Sequence, residues 1–463
     1  MKRLFGTDGM RGEAGRFPLD AATIRVTGRS LACHLAERSD ARSAPSIVVG
    51  RDTRESGAWI EAALAAGALE AGARVESAGV IPTPGVAYLA RTLRADAGVV
   101  ISASHNPYQD NGIKIFAPSG RKLDDATERL IEADIAAEAK AQAGAAARSE
   151  GVRDDAAACA DLPLAARLRA RYLDYLTEEI ASGLSLDGLR LVVDCANGAS
   201  SDLAPALFRQ LGAEVISIND APDGRNINRD CGSLHLEGLR RRAAAESADF
   251  GVAFDGDADR ALFVDAQGSF VDGDATLWVM AQHLAGRGEL SDNLIVATVM
   301  SNIGLEIALR TKGWRLARTD VGDKYVLEEL LRTGASLGGE QSGHLIFPRL
   351  SLAGDGMMTT LCLLRAMRES GLPLHELTAG FRRYPQVLVN VRVREKLPFA
   401  EVEAIARGAR ETEAQLGTRG RLLLRYSGTE PLARVMIEGE QQDVIESMAA
   451  SLAALIKDAL GAG

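Results

Sequence analysis

The sequence lacks paired cysteines, long apolar runs and a surplus of positive charge. It has five cysteines in 463 residues, and none of them are spaced as Cys-x-x-Cys. An odd number of scattered cysteines excludes a disulfide framework and a zinc knuckle, and it fits a reducing compartment. No uncharged apolar stretch approaches the ~20 residues that span a bilayer, and the chain opens without an apolar signal core. We therefore expect no membrane partner and a cytoplasmic location.

The charge balance argues against a nucleic-acid partner. Lys and Arg number 53 against 63 Asp and Glu, which gives a formal net charge of −10, so the basic footprint of a nucleic-acid-binding protein is absent. Hydrophobic residues make up 46% and charged residues 25%, the composition of a globular protein. At ~150 residues per domain, the length predicts three or four domains.

Apolar runs alternate with helical patterns over the first three quarters of the chain and predict an α/β fold. The runs Ser46–Gly50 and Val99–Ile101 are separated by helical periodicity, and the same pattern restarts at Leu189–Asp194 and Leu294–Val299. We interpret this as three related α/β domains with mixed sheets. The last ~90 residues predict a smaller C-terminal α+β domain, with strands and a helix at Val387–Val393, Phe399–Gln415, Leu422–Arg425 and Arg434–Glu438.

Domain boundaries follow from these patterns and from one biased segment. Ala133–Ala160 is rich in alanine with interspersed charges, which predicts a long solvated helix and a linker. The expected domains are residues 1–152, 153–250, 251–370 and 371–463.

Four polar motifs carry the candidate chemistry, and the first is Ser102–Pro107 (SASHNP). It follows an apolar strand, at the sheet edge where open α/β sheets place ligands. Ser104 beside His105 suggests an activated or phosphorylated nucleophile. A polar turn ending at the proline is an equally good interpretation of this motif alone.

The second motif, Asp255–Arg260 (DGDADR), follows the apolar strand Phe250–Phe254 and predicts a metal site. Three carboxylates at every second position can converge on one hard divalent cation, and crowded carboxylates repel unless a cation offsets them. An EF-hand is excluded, since its loop would need Gly at Arg260 and Glu at Ala266. The nucleophile motif of haloacid-dehalogenase-like phosphatases is a poor match, and an acidic solvated turn is the remaining alternative.

The third motif is Gly338–His344 (GGEQSGH). Its glycines allow a ligand to approach the backbone closely, while Glu340, Ser342 and His344 alternate acceptors and donors that suit sugar hydroxyls. Alone it is also compatible with a glycine-rich turn.

The fourth motif is Arg425–Pro431 (RYSGTEP), after the strand Leu422–Leu424. Its hydroxyls and successive backbone N–H groups could bind a phosphate, with Arg425 and Arg434 supplying charge. A hairpin turn is the alternative. The chain has no P-loop and no Gly-x-Gly-x-x-Gly motif, so no nucleotide site competes.

The order of these four motifs along one chain resembles the α-D-phosphohexomutase superfamily, and the resemblance covers essentially the whole length. Within it, Phe5–Gly12 (FGTDGMRG) and Glu340–Ser342 (EQS) look most similar to the members that act on glucosamine phosphates. Met10 departs from the Ile or Val of the pattern, which is a conservative apolar change. The resemblance implies four domains that surround a central cleft.

The resemblance also implies a role for each site residue. The catalytic set would be the phosphoserine Ser104 with His105, Lys114 and Arg11. Mg²⁺ would be held by a phosphate oxygen on Ser104 and by Asp255, Asp257 and Asp259. The substrate-binding set would be Arg260, Lys324, Glu340, Ser342, His344, Arg425, Ser427, Gly428, Thr429 and Arg434. Lys114 could serve as general base if burial or neighbouring cations depress its pKa. Because the chain is acidic and the substrate anionic, we expect a locally positive cleft.

The implied reaction interconverts glucosamine 6-phosphate and glucosamine 1-phosphate for UDP-N-acetylglucosamine and cell-wall precursor synthesis. Glucosamine 1,6-bisphosphate would be the intermediate, and it or glucose 1,6-bisphosphate the activator. A phosphomannomutase/phosphoglucomutase is the first alternative, because no residue chemically identifies the 2-amino group. A metal-dependent sugar phosphatase is the second, and a non-catalytic sugar-phosphate sensor is disfavoured. Bacterial relatives suggest a homodimer.

Overall fold

The computed structural model describes residues 3–6, 8–38, 44–144, 161–427 and 430–461, and they form four units. The first unit is a mixed six-stranded sheet in the order β1-β2-β6-β5-β3-β4, in which β3 pairs in parallel with β4 and β5. Its strands are β1 Phe5–Gly6, β2 Gly9–Glu13, β3 Ser46–Arg51, β4 Arg74–Val80, β5 Ala97–Ile101 and β6 Asp110–Phe116. Its helices are α1 Ala21–Arg38, α2 Gly57–Glu70, α3 Thr83–Thr92 and α4 Asp125–Gly144.

The second unit has a five-stranded mixed sheet in the order β11-β10-β9-β7-β8. Its strands are β7 Arg190–Asp194, β8 Glu214–Ile218, β9 Phe250–Phe254, β10 Ala261–Asp265 and β11 Phe270–Val271. Its helices are α5 Leu162–Asp174, which continues into a π-helical turn at Tyr175–Ile180, then α6 Leu203–Gln210 and α7 Glu237–Ala245.

The third unit has a four-stranded mixed sheet in the order β13-β12-β14-β15. Its strands are β12 Leu294–Thr298, β13 Arg315–Thr319, β14 Gly338–Gly339 and β15 Leu345–Ile346. Its helices are α8 Gly273–Gly286, α9 Ile303–Thr311, α10 Asp323–Thr333, α11 Gly356–Ser370 and α12 Leu374–Leu377.

The fourth unit is smaller, with an antiparallel sheet in the order β16-β18-β17. Its strands are β16 Gln386–Arg392, β17 Arg421–Tyr426 and β18 Leu432–Glu438, and its helices are α13 Glu403–Leu416 and α14 Gln442–Leu460. The predicted fold class, three α/β domains with mixed sheets and a smaller C-terminal α+β domain, is confirmed.

One strand in each of the first three sheets is buried on both faces, which explains why these strands appear in the sequence as continuous apolar runs. Every residue of β5, β9 and β12 is buried. In the first sheet, Val99 packs with α1, α2 and α4, while the neighbouring Val100 faces the core shared with the second and third units. Because helices cover both faces, the polar residues collect where the strands end.

The structure places two domain boundaries differently from the sequence prediction. The expected boundary at residues 370 and 371 precedes α12, which contacts α8 and belongs to the third unit. The expected boundary at residues 250 and 251 falls within β9, which pairs with β7 on one side and β10 on the other. The Asp255–Arg260 turn therefore belongs to the second unit. The sequence pattern did not reveal this assignment. In the sequence, the apolar run of β9 looks like the first strand of a new strand–helix repeat, although it pairs with β10 in an antiparallel hairpin. The boundary at 152 and 153 lies outside the described residues.

The Ala-rich segment was predicted as a long helix with a linker. Its described part, up to residue 144, lies in α4, and the remainder lies outside the described residues. Within the described ranges, no helix has both the length and the apolar character needed to cross a bilayer.

The fourth unit docks on the third through buried polar contacts. The carboxylate of Glu438 accepts hydrogen bonds from the Asn302 side chain (3.2 Å), from the backbone N–H of Ile303 (3.0 Å) and from Arg421 (3.0 Å). Glu438 is fully buried. It thus satisfies an otherwise free N–H at the start of α9 and fixes the angle at which β17 and β18 meet the third unit.

Candidate active site

The Ser102–Pro107 loop leaves the carboxyl end of β5 and presents Ser104 to the second unit. The Ser104 Oγ donates to Oδ2 of Asp255 at 2.5 Å, and the residue is 1% exposed. Its backbone has φ of 53°, a left-handed conformation that costs a non-glycine residue about 1–3 kcal/mol unless the surroundings hold it. The predicted nucleophile is therefore in a strained turn beside the predicted metal ligands.

Asp255, Asp257 and Asp259 are brought together by the tight turn between β9 and β10. One oxygen from each lies within 4.8 Å of the others, and all three residues are buried. Gly256 is required for the approach of this turn to the serine loop, since a Cβ there would lie 2.5 Å from the Ser104 carbonyl oxygen. The two motifs thus fit together through backbone contact as well as through side chains.

Positive groups surround the three aspartates. The ammonium of Lys114, from β6, lies 2.8 Å from Asp257 and 3.5 Å from Asp259, and the Thr83 hydroxyl donates to Asp257 at 2.6 Å. Burial would raise the pKa of Asp259, but Lys114 and His344 hold it well below its usual range. Burial and the two other aspartates raise the pKa of Asp255.

The aspartate cluster fits a hard divalent cation. Within the cluster, two buried oxygens have no hydrogen-bond partner among the described residues: Oδ1 of Asp257 and Oδ1 of Asp259. Buried carboxylate oxygens without donors are costly unless a cation or donor satisfies them, and an all-oxygen set is the kind that Mg²⁺ prefers. The cluster therefore has the geometry and chemistry to hold one divalent cation.

Lys114 differs in one respect from the sequence expectation. Burial lowers the pKa of its ammonium, but Asp257 and Asp259 outweigh burial and raise it. The pKa of Lys114 is therefore raised here and not depressed, because its ammonium faces two of the aspartates, which the sequence did not reveal.

His105 is adjacent to Ser104 and is held neutral. Its Nδ1 lies 2.9 Å from a guanidinium nitrogen of Arg260 and 3.3 Å from the Ser104 Oγ. Burial, with Arg260 and Arg11, lowers the pKa of His105 to about 4. At neutral pH the ring is uncharged, and since a guanidinium can only donate, Nδ1 is the acceptor and the proton is on Nε2.

A cleft of about 460 Å³ opens in front of these groups and is lined by the first three units. Its charged lining contains the guanidinium groups Arg3, Arg11 and Arg260 and the carboxylates Asp8, Asp259, Asp323 and Glu340. The expected surplus of positive charge is thus not provided by these side chains. An anionic ligand needs additional cations here.

The third motif lies across the cleft from the serine loop. Glu340 is 9% exposed and accepts from the backbone N–H of Gly322 at 3.1 Å, while the Ser342 hydroxyl oxygen is buried without a partner among the described residues. His344 Nδ1 lies 3.6 Å from Asp259, which links this segment to the aspartate cluster. Glu340 and His344 therefore line the same cleft as Asp259, and Ser342 lies between them in the sequence.

Lys324, which the sequence suggested as a substrate contact, points to a carboxylate of the first unit. Its ammonium lies 2.5 Å from Asp125 at the start of α4, so it bridges the third unit and the first. It lines a second cavity of about 450 Å³ that is also lined by Lys114, and that shares Asp259 and His344 with the cleft described above. In this structure Lys324 is an inter-unit contact.

The fourth motif places two arginines side by side. Arg425 and Arg434 are directly opposite each other on the antiparallel strands β17 and β18, and burial together with Arg434 lowers the pKa of Arg425. Arg434 lies 3.5 Å from the hydroxyl of Ser427. Gly428 and Thr429 lie outside the described residues. Two adjacent cations with a nearby hydroxyl form a suitable anion site.

Several contributors were missed from the sequence. Thr83 contacts the aspartate cluster, Asp8 lies 3.3 Å from Lys114, and Lys396 donates to the Ser427 carbonyl at 2.6 Å. Arg54 and Asn228 both donate to the carbonyl of Ser104. Arg54 follows β3, so the rule that ligand-site residues follow parallel strands could have found it. The others depend on tertiary contacts that no local pattern encodes.

Comparison with known families matches the chain in four consecutive stretches. All four models are described as phosphoglucomutase/phosphomannomutase: α/β/α domain I over residues 2–142, domain II over 170–268, domain III over 272–384 and the C-terminal domain over 388–455. The second stretch includes the aspartate turn, in agreement with the sheet to which β9 and β10 belong.

Individual relatives cover the whole chain. A phosphoglucosamine mutase from Solibacter usitatus is 50% identical over 464 residues, 99% of this chain and 99% of that protein. A phosphoglucomutase/phosphomannomutase family protein from Burkholderia thailandensis has a similar structure, with a TM-score of 0.76, 24% identity and coverage of 99% of this chain and 98% of that one. N-acetylphosphoglucosamine mutase from Aspergillus fumigatus, solved with GlcNAc-6P and magnesium, has a TM-score of 0.62 at 19% identity over 98% of this chain and 95% of that one. At these identities the two structures support the fold.

Proposed function

The chain belongs to the phosphoglucomutase/phosphomannomutase family, and we propose that it acts as a phosphoglucosamine mutase. The superfamily predicted from the four motifs, and the mutase class that it implied, are confirmed by the full-length relatives. The observation that supports the proposed chemistry best is the contact between Ser104 and Asp255, which places a serine hydroxyl at a cluster of three carboxylates.

Ser104 is proposed as the phosphoryl carrier. Its Oγ donates directly to Asp255, and its loop is held so that Oγ faces the aspartates. In the first step, the bond between phosphorus and the Ser104 Oγ breaks as a bond to O1 of glucosamine 6-phosphate forms, and the O1 hydroxyl loses a proton while the Ser104 Oγ gains one. The product, glucosamine 1,6-bisphosphate, turns in the cleft, and its 6-phosphoryl group returns to Ser104, whose hydroxyl loses its proton while O6 gains one. Ser104 thus ends in its starting phosphorylated state.

Mg²⁺ is proposed to bind at Asp255, Asp257 and Asp259 together with a phosphate oxygen on Ser104. The donorless buried oxygens of Asp257 and Asp259 support this assignment. When bound there, Mg²⁺ would neutralise charge on the transferring phosphoryl group. Arg260 and neutral His105 would orient the phosphoryl oxygens, and Lys114 would keep the carboxylates in place and share their charge. Arg11, on the wall of the same cleft, would contact the substrate-facing side.

The remaining contacts divide between the sugar and its distal phosphate. Glu340, Ser342 and His344 are proposed to bind sugar hydroxyls, since Glu340 and His344 line the cleft and a buried polar atom of Ser342 and of His344 has no hydrogen-bond partner among the described residues. The distal phosphate is assigned to the RYSGTEP segment, with Arg425, Ser427, Gly428, Thr429 and Arg434 as ligands. Lys324 stays a candidate substrate contact only if it leaves Asp125 when the sugar is bound.

Two further parts of the proposal concern assembly and location. A homodimer, suggested by bacterial relatives, would be tested by light scattering of the purified protein. The cytoplasm is the proposed compartment, because the described cysteines are free thiols and the proposed route supplies UDP-N-acetylglucosamine. Fractionation of cells expressing the chain would test the location.

The direct test compares three substrates. With Mg²⁺ and a trace of glucose 1,6-bisphosphate, kcat/KM should be highest for glucosamine 6-phosphate, and lower for glucose 6-phosphate and mannose 6-phosphate. A preference for the 2-hydroxy sugars would instead identify a phosphomannomutase/phosphoglucomutase. Net release of inorganic phosphate would identify a sugar phosphatase.

Two variants test the assigned groups. Ser104→Ala should abolish turnover and covalent phosphate, whereas Ser182→Ala, at an exposed serine, should leave both unchanged. Asp257→Asn should lower the rate and the affinity for Mg²⁺ together. Full turnover of the Ser104 variant, or an unchanged metal requirement of the Asp257 variant, would refute the corresponding assignment.

A further inference from the structure

A fully buried ion pair lies beneath the loop that carries Ser104. The guanidinium of Arg54 donates through Nε to Oδ2 of Asp52 at 2.9 Å, and neither side chain is exposed to solvent. Both residues directly follow β3, which is the neighbour of β5 in the sheet. The pair therefore lies beneath the Ser102–Pro107 loop and is not exposed to the cleft.

The remaining guanidinium nitrogens bind the loop itself. The backbone carbonyls that accept from Arg54 are those of Ser104 (3.0 Å), Asn106 (2.9 Å), Pro107 and Asp110 (3.0 Å). These carbonyls span the loop from the nucleophile to the first residue of β6. Because a guanidinium carries five N–H donors in one rigid plane, it can satisfy this set, whereas the three donors of a lysine cannot.

Asp52 secures the other side of Ser104. Its Oδ2 also accepts from the Ser102 hydroxyl at 2.6 Å, and the Ser102 Oγ in turn accepts the backbone N–H of Ser104 at 2.9 Å. The N–H and the carbonyl of the nucleophile are thus both tied to one Asp52–Arg54 pair. Asn228 of the second unit adds a further donor to the same carbonyl at 2.9 Å.

This arrangement explains how a non-glycine residue keeps a positive φ at the nucleophile. Ser104 has φ of 53°, and every hydrogen bond to its backbone N–H and carbonyl described above favours that conformation. A buried charge pair is not needed for packing, because apolar residues of similar volume would fill the space. Its specific contribution is to fix the direction of the Ser104 Oγ toward Asp255.

We propose that Arg54, oriented by Asp52, is a positioning residue for phosphoryl transfer: it holds Ser104 in the strained conformation that aims Oγ at the aspartate cluster. This inference rests on the proposed function, since it assumes that Ser104 carries the phosphoryl group. Arg54 contacts no substrate, so its loss affects kcat and the rate of Ser104 phosphorylation, and it leaves KM for the sugar phosphate unchanged.

The test uses Arg54→Lys, with Arg51→Lys as the matched control. Arg51 is three residues earlier and pairs with Glu61 at 2.9 Å, without a described contact to the serine loop. Each protein is incubated with glucose 1,6-bisphosphate and Mg²⁺, and intact mass spectrometry follows the gain of one phosphoryl group, mapped to Ser104. Steady-state kcat and KM are measured on the same samples, normalised to folded protein by circular dichroism.

Arg54→Lys should lower kcat and the labelling rate by about 100-fold, the effect of a misplacement of about 1 Å at a reacting group, with KM changed less than ~2-fold. Arg51→Lys should match the wild type in kcat, in labelling rate and in KM. If Arg54→Lys does not fold, Ser102→Ala tests the same network and should slow both rates by about 10-fold.

Three outcomes would overturn the inference. If Arg54→Lys has the kcat and the labelling rate of the wild type, the pair does not position Ser104. The same conclusion holds for Ser102→Ala where that is the variant tested. A loss of rate that matches the loss of folded protein would indicate a purely structural role. A wild-type enzyme that turns over without phosphate on Ser104 would refute the proposed function, and the inference with it. The first two outcomes leave the proposed function intact.

Discussion

The Lys114 ammonium lies 2.8 Å from Oδ2 of Asp257, and both side chains are about 1% exposed. The two residues come from different units, so this ion pair joins the sheet that carries the nucleophile to the turn that carries the three aspartates. Lys114 and Arg260, whose Nε lies 3.8 Å from Asp259 and 4.0 Å from Asp255, are two cations against three buried carboxylates, and two of the carboxylate oxygens have no hydrogen-bond donor among the described residues. The cluster therefore has an electrostatic requirement for a further cation.

Replacing Lys114 with Met should change metal affinity and turnover in opposite directions. The variant loses a cation that competes with the metal for Asp257, so half-maximal activity should need less Mg²⁺. Its kcat should fall about 100-fold, because a charge-stabilising group next to the transferring phosphoryl is lost. A Mg²⁺ titration of activity and calorimetric metal binding would measure the two effects.

The Lys114 variant should also become metal-dependent in stability. Without metal, breaking a buried pair costs about 3–5 kcal/mol, and Mg²⁺ should recover most of the lost thermal midpoint. Lys312→Met, at an exposed lysine, is the control and should change neither property. Weaker Mg²⁺ binding by the Lys114 variant would contradict the idea that the lysine competes with the metal.

A methyl group at Gly256 should separate the nucleophile loop from the aspartate turn. The Cβ of Gly256→Ala would lie 2.5 Å from the Ser104 carbonyl oxygen and 2.8 Å from Cδ1 of Ile227, so at least one loop must move. We expect a loss of about 1–3 kcal/mol in stability and a much larger relative loss of kcat than of substrate affinity.

The control for this change is Gly238→Ala in α7, where an added Cβ meets nothing within 4 Å. It should leave activity intact and stabilise the helix by up to about 1 kcal/mol. Thermal midpoints and kcat of both variants would be compared. Full activity of Gly256→Ala would show that the two loops need not be in contact for turnover.

The sequence was most informative where chemistry is local. The apolar runs that form β5 and β9 are fully buried and are followed by polar turns. The sequence therefore predicted both strands, and it predicted that Ser104 and the aspartates lie at their carboxyl ends. By contrast, the partner of Lys114 and the direction of Lys324 depend on how separate units pack. Arg54 is a buried charge on a loop, and only its five hydrogen bonds, four of them to distant backbone carbonyls, explain why it is there.

Tyr172→Phe should destabilise the protein more at pH 8 than at pH 5. The Tyr172 hydroxyl donates to Asp355 at 2.8 Å, both groups are buried, and burial raises the pKa of Asp355 to about 6. A raised acid pKa means that the folded protein binds the proton more tightly than the unfolded chain, so this carboxyl's contribution to stability is lost as pH rises from about 4 through 6. Above pH 6 the Tyr172 bond is to an ionised acceptor and is worth about 1.5–3 kcal/mol, against about 1 kcal/mol below it.

Tyr175→Phe is the matched control, because its hydroxyl donates to the neutral backbone carbonyl of Leu350 at 3.0 Å. Its effect on the thermal midpoint should be the same at both pH values. Equal pH profiles for Tyr172→Phe and Tyr175→Phe would contradict an ionised Asp355 at neutral pH.

Arg425→Met should weaken substrate binding without destabilising the free protein. Arg425 lies opposite Arg434 in the β17–β18 pairing, and it has no carboxylate within 4 Å among the described residues, so the two guanidinium groups repel each other until an anion lies between them. KM for glucosamine 6-phosphate should rise about 10- to 100-fold, the loss expected for one charge-assisted hydrogen bond of about 1.5–3 kcal/mol. The thermal midpoint of the ligand-free protein should stay the same or rise, because a like-charge contact is removed, and added inorganic phosphate should stabilise the wild type more than the variant.

Arg419→Met, which removes a surface ion pair with Glu440 in the same unit, should leave KM unchanged. An unchanged KM for Arg425→Met, or a lower midpoint without ligand, would assign Arg425 to folding and not to the phosphate site.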